Sequence, residues 1–220
     1  MAWRLLLILL VGLVGGASLH AQLPYRLSLA YDTELPDEKG LRDLLTIPQA
    51  YAQRGERTQA VKNLVNTLRE AGFLAASLDS ITGDTAFSMT AYLHVGRSYR
   101  WAQLGRGNVE DQILNRTGFR DRLYYNRPLN VRQVNRLFRQ IITYCENHGY
   151  PFASIRLDSV EFDGEAMRAV LQLTKNREFR IDSIQVKGDA KIGVKYLSNY
   201  LGIKAGSLYD QSRLDRISTR

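Results

Sequence analysis

Residues 146–160 read ENHGYPFASIRLDSV. The opening residues close a run in which Val131, Val134, Leu137/Phe138, Ile141/Ile142 and Cys145 recur at three- and four-residue spacing, the period of an amphipathic helix. Asn130 stands where an N-cap belongs, and Gly149 where a left-handed residue stops a helix. Tyr150 can pack back over that helix end. Pro151 cannot continue the helix and is tolerated at a strand start. Ala153 is small enough for a close helix–sheet approach. Residues 152–157 then read as a strand with Ile155 and Leu157 on one face. Asp163-Gly164 is a hairpin signal, and Ala169, Leu171 and Leu173 alternate as the return strand.

The same order occurs earlier. A helical run over 58–71 carries Val61, Leu64/Val65 and Leu68, stops at Gly72 and passes through Phe73 into EAGFLAASLDSI, residues 70–81. Ala76-Ser77-Leu78 matches Ala153-Ser154-Ile155, and Asp79-Ser80-Ile81 matches Asp158-Ser159-Val160 with two extra residues in the later copy. Because Gly72-Phe73-Leu74 does the same work, Pro151 is not essential to the unit. YRWAQLGRGN (99–108) aligns with FRIDSIQVKGD (179–189), each a strand ending in a Gly-containing turn before a short helix. Leu129-Asn130-Val131 matches Tyr209-Asp210-Gln211, which makes Asn130 and Asp210 equivalent caps. The period is roughly 80 residues and the unit is β-α-α-β-β, a string of small modules. Its opening strand in the first unit is 25–32, and its first helix lies somewhere in 37–54. The third unit halts at Arg220 early in its second helix, so the chain reads as part of a longer protein.

The N-terminus, MAWRLLLILLVGLVGGASLHAQ, has one early charge at Arg4, an apolar core and then small residues. This is the layout of a secretory signal peptide cleaved before Gln22, with an uncleaved anchor as the alternative. A single cysteine, Cys145, excludes an intramolecular disulfide framework; on the apolar helix face it reads as a buried hydrophobe. The chain carries a formal charge of +8, with 45% hydrophobic and 24% charged residues. That is globular composition, and the basic excess favours acidic surfaces. Arg97, Arg100, Arg106, Arg116, Arg120, Arg122 and Arg127 crowd one part of the second unit, as a solvated face or a lipid-facing one. Nucleic acid is not an expected partner of an exported chain.

No catalytic residue, metal or cofactor is expected. His20, His94 and His148 are scattered, and the sequence has no G-x-S-x-G, H-E-x-x-H or C-x-x-C. Gly105-Arg106-Gly107-Asn108 is Gly-rich and basic but follows a strand as a turn. Asp79 and Asp158 hold equivalent places in two modules, so they are repeat features and not an acid–base pair.

The strand-and-turn FRIDSIQVKGDA, the helix start G-S-L-Y-D (206–210) and the exit G-Y-P-F-A (149–153) together resemble polypeptide-transport-associated (POTRA) domains. The wider resemblance is to the periplasmic part of the BamA/TamA-like outer-membrane assembly family, also called surface antigens. It implies an α+β fold of tandem modules, each a three-stranded sheet covered by two helices, with a C-terminal barrel that this chain does not contain. The expected organisation is a signal peptide at 1–21 and modules at 22–95, 96–175 and, incomplete, 176–220. Gly72, Phe73, Gly149, Tyr150, Gly188, Gly206 and Tyr209 would define the modules. The resemblance places the second strand of each unit at the sheet edge. Ala75, Ala76, Ser77 and Leu78, and Phe152, Ala153, Ser154, Ile155, Arg156 and Leu157, are therefore the candidate residues for pairing with an extended client strand. The plainer alternative is that these edges are covered or solvated. Expected partners are unfolded outer-membrane or exported proteins, with the outer-membrane lipid surface and periplasmic accessory proteins as further ones. A secretion transporter recognising one exported substrate, or a structural periplasmic scaffold, would show the same repeats.

Overall fold

The computed structural model describes residues 25–31, 35, 40–85, 87–188 and 192–218. The signal-peptide reading of 1–21 lies outside them. In the first unit the elements are β1 (Tyr25–Tyr31), α1 (Leu41–Leu44), β2 (Ala50–Tyr51), α2 (Arg54–Glu70), β3 (Ser77–Thr82) and β4 (Ser88–His94). The second has β5 (Arg100–Gly105), α3 (Asp111–Thr117), a 3-10 turn (Asp121–Tyr124), β6 (Tyr125–Pro128), α4 (Val131–Glu146), β7 (Ser154–Asp163) and β8 (Ala166–Thr174). The last described helices are α5 (Val194–Leu201) and α6 (Gln211–Ser218).

Each sheet places its first and last long strands side by side and parallel, β1 with β4 and β5 with β8. Parallel neighbours need a crossover connection, which the two helices supply. The strand orders are β2-β1-β4-β3 and β6-β5-β8-β7. A short fourth strand thus adds to the three expected from sequence. In the second unit it is β6, where all four residues are exposed and no alternation betrays a strand. Pro128 ends it, opposite Arg100, in keeping with proline's confinement to sheet edges.

The helices bury one stripe against each sheet. α4 contributes Val134, Leu137, Ile141 and Cys145, which meet Trp101, Leu104, Met167, Ala169, Leu171 and Leu173. Burying each large aliphatic side chain contributes about 1.5–3 kcal/mol. α2 contributes Val61, Leu64, Val65 and Leu68 against Leu27, Met89, Ala91 and Leu93. The Asn130 side chain caps α4 by accepting the Gln133 N–H at 3.0 Å. α2 starts four residues before the apolar pattern does. Its extra turn puts Arg57 one turn ahead of Val61 on the inward face, with no exposed surface.

That buried arginine is tied down. Its guanidinium donates to the Arg26 carbonyl at 3.2 Å, the Asp84 carboxylate at 2.6 Å and the Thr85 carbonyl at 3.2 Å. Arg54 reaches the other oxygen of Asp84 at 2.5 Å. α2 is thereby fastened to the β3–β4 turn. In the second module Val134 occupies the position that Arg57 holds in the first.

Among the described residues beyond 178, the strand expected in FRIDSIQVKGD (179–189) is reduced to one bridge, Arg180 with Leu208; residue 189 lies outside the described residues. α5 stops at Gly202 in the left-handed region. Asp210 caps α6, accepting from the Arg213 N–H at 3.3 Å and the Ser212 hydroxyl at 2.6 Å.

Candidate functional site

β3 and β7 are edge strands, each with one hydrogen-bonding neighbour. β7 is the longer, at ten residues against six. At the other edges stand β2, of two residues, and β6, of four. Of the candidate pairing residues, Ser77 and Leu78 lie on β3, and Ser154, Ile155, Arg156 and Leu157 on β7. Ala75, Ala76, Phe152 and Ala153 precede the strands. Ala76 is fully buried, its N–H donating to the Phe73 carbonyl and its carbonyl accepting from Arg69 at 2.8 Å. The Phe152 carbonyl accepts from the Asn176 side chain at 2.6 Å, and the Ala153 N–H donates to the Tyr150 carbonyl. These backbone groups have internal partners; the strand residues supply the edge.

Both edges carry a bulge near the repeated Asp-Ser pair. In β3 the register slips between Leu78 and Ser80; in β7 it slips between Asp158 and Glu161. Ser159 takes a positive φ of 50° there. Asp158 makes the kink possible by accepting the Ser159 N–H at 2.7 Å while holding Arg156 at 2.8 Å. Those contacts, the Ser159 N–H first, hold its carboxyl below the usual range. Asp79 accepts from the Ser77 hydroxyl at 2.7 Å, two residues away, as Arg156 is from Asp158. The bulge leaves 154–158 as an unbroken run on β7 and splits β3 into shorter pieces. Bulges are a usual way of limiting what an edge can pair with.

The glycine stops do more than end helices. The Gly72 carbonyl accepts the Tyr99 N–H at 2.9 Å, and the Tyr99 carbonyl accepts the Leu129 N–H at 2.9 Å. At the next joint the Gly149 carbonyl accepts from Phe179 at 2.8 Å, and the Phe179 carbonyl from Tyr209 at 3.0 Å. Gly149 then donates back to the Tyr209 carbonyl at 3.0 Å. In the first joint the helix exit bonds to Tyr99, just before β5, which in turn bonds Leu129 ahead of α4; in the second, Gly149 itself bonds both Phe179 and Tyr209, the latter just ahead of α6. Side chains reinforce both joints at equivalent positions. Arg132 meets Glu70 at 2.5 Å in the first, and the Ser212 N–H donates to Asn147 at 2.9 Å in the second. Leu74 crosses the first joint to pack on the second module's core, and Phe152 meets Phe179 edge-on across the second.

The remaining module-defining residues fall in both kinds of place. Phe73 is buried in the first core, and Tyr150 packs on the second beneath Lys175, whose ammonium lies 5.2 Å from the ring centroid. Tyr209 closes the second joint and shares a short hydrogen bond with Gln211. Gly206 sits at φ 80°, its N–H donating to the Ile181 carbonyl at 2.7 Å, and Gly188 sits at φ 103°.

Sequence reasoning left two local roles unseen. In Gly105-Arg106-Gly107-Asn108, Gly107 lies so close to β8 that an added Cβ would fall 1.7 Å from the Leu171 carbonyl oxygen. Asn108 then pairs with both backbone groups of Leu173, at 2.7 and 2.8 Å. The loop is a side-chain extension of the sheet. The arginine crowd also divides. Arg97, Arg100, Arg106 and Arg120 bond to Glu165, Asn126, Asp111 and the Phe119 carbonyl. Among the described residues, no cluster of His, Cys, Asp and Glu suited to a metal ion forms.

No protein-family model and no curated protein matches the chain. Among solved structures, the crystal structure of Haemophilus influenzae BamA POTRA3-5 is similar over 88% of this chain and 86% of its own, at 14% identity and a TM-score of 0.57. BamA from Haemophilus ducreyi lacking POTRA domains 1–3 matches 71% of this chain with 30% of its own, at 12% identity and a TM-score of 0.47. The N-terminal domain of Omp85 from Thermosynechococcus elongatus matches 87% with 83% of its own, at 12% identity and a TM-score of 0.35. At such identities the first likeness is one of architecture, and together with the sheet order and repeated joints it gives the conclusion that this chain has the POTRA-repeat fold.

Proposed function

We propose that this chain is the periplasmic, polypeptide-binding region of a protein that assembles or inserts outer-membrane β-barrels, and that it holds clients by adding their extended strands to its sheet edges. The observation that carries this reading is the position of β7: a ten-residue edge strand in a four-stranded sheet. Main-chain pairing along 154–158 gives affinity with little demand on client sequence, which suits unfolded precursors. β3 is a lesser site because its bulge interrupts it sooner. The exported location follows from the N-terminal signal-like stretch, and the modules are taken as 22–95, 96–175 and 176 onward. The repeated joint supports treating 176–220 as the opening of a third unit.

A photo-crosslinker at Ser154 or Arg156 should capture an unfolded barrel precursor, with weaker capture from Ser77. The same group at Arg127 on β6 serves as the control edge. Silence along 154–158, with capture at Arg127, overturns the proposal.

A further inference from the structure

A second surface of module two is built differently, and it stands independently of the edge-strand reading. Between α3 and α4 lies an open cleft of about 390 Å³. Arg136, Arg139, Gln140 and Thr143 line it from one stripe of α4, at the three- and four-residue spacing of a helix face, and Asn147 continues the stripe at the helix's C-cap. Arg116 faces them from the end of α3. Among the described residues, no carboxylate lines the cleft. Among the described residues, none of the three guanidiniums makes an ion pair, whereas Arg132, one turn earlier, is matched by Glu70. The Asn147 oxygen is occupied by the Ser212 N–H, which leaves its NH₂ as a donor. His148 stacks on Tyr144 at one end.

This arrangement is unfavourable for an empty helix. Arg132, Arg136 and Arg139 repel one another at i,i+4 and i,i+3, in a helix whose first turn holds no acidic residue. Module one provides the comparison: Gln59 and Asn63 stand at the places of Arg136 and Gln140, and there they bond to each other at 2.8 Å. The fold therefore does not need these arginines.

We infer that the α3–α4 cleft of module two binds a phosphate-bearing ligand. Three planar guanidinium forks surrounded by amide donors exceed what one carboxylate's two oxygens can accept. A phosphate group, with more oxygens and more charge, matches them. The cleft is of a size that holds a small ligand or a headgroup.

The mature chain titrated with inorganic pyrophosphate at low salt should show saturable NMR shifts of the Gln140 and Asn147 side-chain amides. R136Q/R139Q should weaken binding at least tenfold. R122Q/R127Q removes the same charge outside the cleft and should change it less than twofold. R116Q, on the other helix, should give a loss of at least threefold. A parallel arm uses phosphatidylglycerol against phosphatidylcholine vesicles. Cleft-dependent binding to phosphatidylglycerol alone assigns a lipid headgroup; pyrophosphate binding assigns a soluble phosphate. Failure of both probes to bind, or equal losses in the two double variants, overturns the inference.

Discussion

At Gly72 the missing side chain matters twice. Its φ is 108°, and a Cβ there would meet the Leu129 carbonyl oxygen at 2.6 Å. At Gly149, φ is 94°, but the nearest atoms are the ends of Leu208 and Glu178 side chains, at 3.0 and 3.3 Å. Both alanine variants carry the left-handed cost of about 1–2 kcal/mol. Only Gly72→Ala must also displace backbone, so it should lower the thermal midpoint further than Gly149→Ala; equal shifts would count against this account. Arg57 and Asp84 make a second residue-scale case. The hydrogen bond from Arg54, followed by the charges of Arg54 and Arg57, holds the Asp84 carboxyl below its usual range. A depressed folded value means the stabilisation is complete above the ordinary carboxylate range and lost as pH falls through the folded one. Asp84→Asn should therefore melt lower than wild type at neutral pH, and the gap should close on acidification. Neither role is written in residue type alone. An arginine at a core position looks like a surface residue until the helix is seen to begin a turn early, and a glycine stop looks purely local until the following unit docks on it.

Helices and their stops were the legible elements. Val134, Leu137, Ile141 and Cys145 announce α4, and Asn130 and Gly149 bracket it. Asn130→Ala should cost about 1 kcal/mol through loss of the cap, measured by denaturant unfolding. Strands were read less well where alternation fails. β6 has no buried side chain to mark it, and the second half of β7 is hidden because 159–163, past the bulge, are all exposed. FRIDSIQVKGD (179–189) carries a strand-like pattern, yet among the described residues it forms only the Arg180–Leu208 bridge, so pattern alone overstates it. The candidate edge was legible in position but began too early, because Ala76 and Ala153 belong to the turn that follows each helix. Cys145 belongs to this scale too. Burial pushes its thiol up, with the Lys175 charge opposing. It should resist thiol reagents in the native chain and react only on unfolding of α4; rapid native labelling would contradict the packing.

Across the whole molecule two cores are distinct but share a border. Trp101 lies fully buried in the second, which makes its fluorescence a reporter of that module. Leu74 belongs in sequence to the first module and packs on the second core. Leu74→Ala should thus lower the unfolding free energy reported by Trp101 by about 1 kcal/mol for a half-buried leucine, seen as a lower denaturant midpoint. An unchanged midpoint would mean that the border contributes nothing.

The joints bear on how such a chain can grow. Every contact in the three-residue bond pattern is made by main chain, and the second unit brings a receiving glycine, Gly149, at its rear and a donor, Tyr99, at its front. A duplicated unit therefore arrives already fitted to both neighbours. Lengthening the chain by gene duplication requires no new interface to evolve, and the copies can then drift apart in side chains while the joint persists.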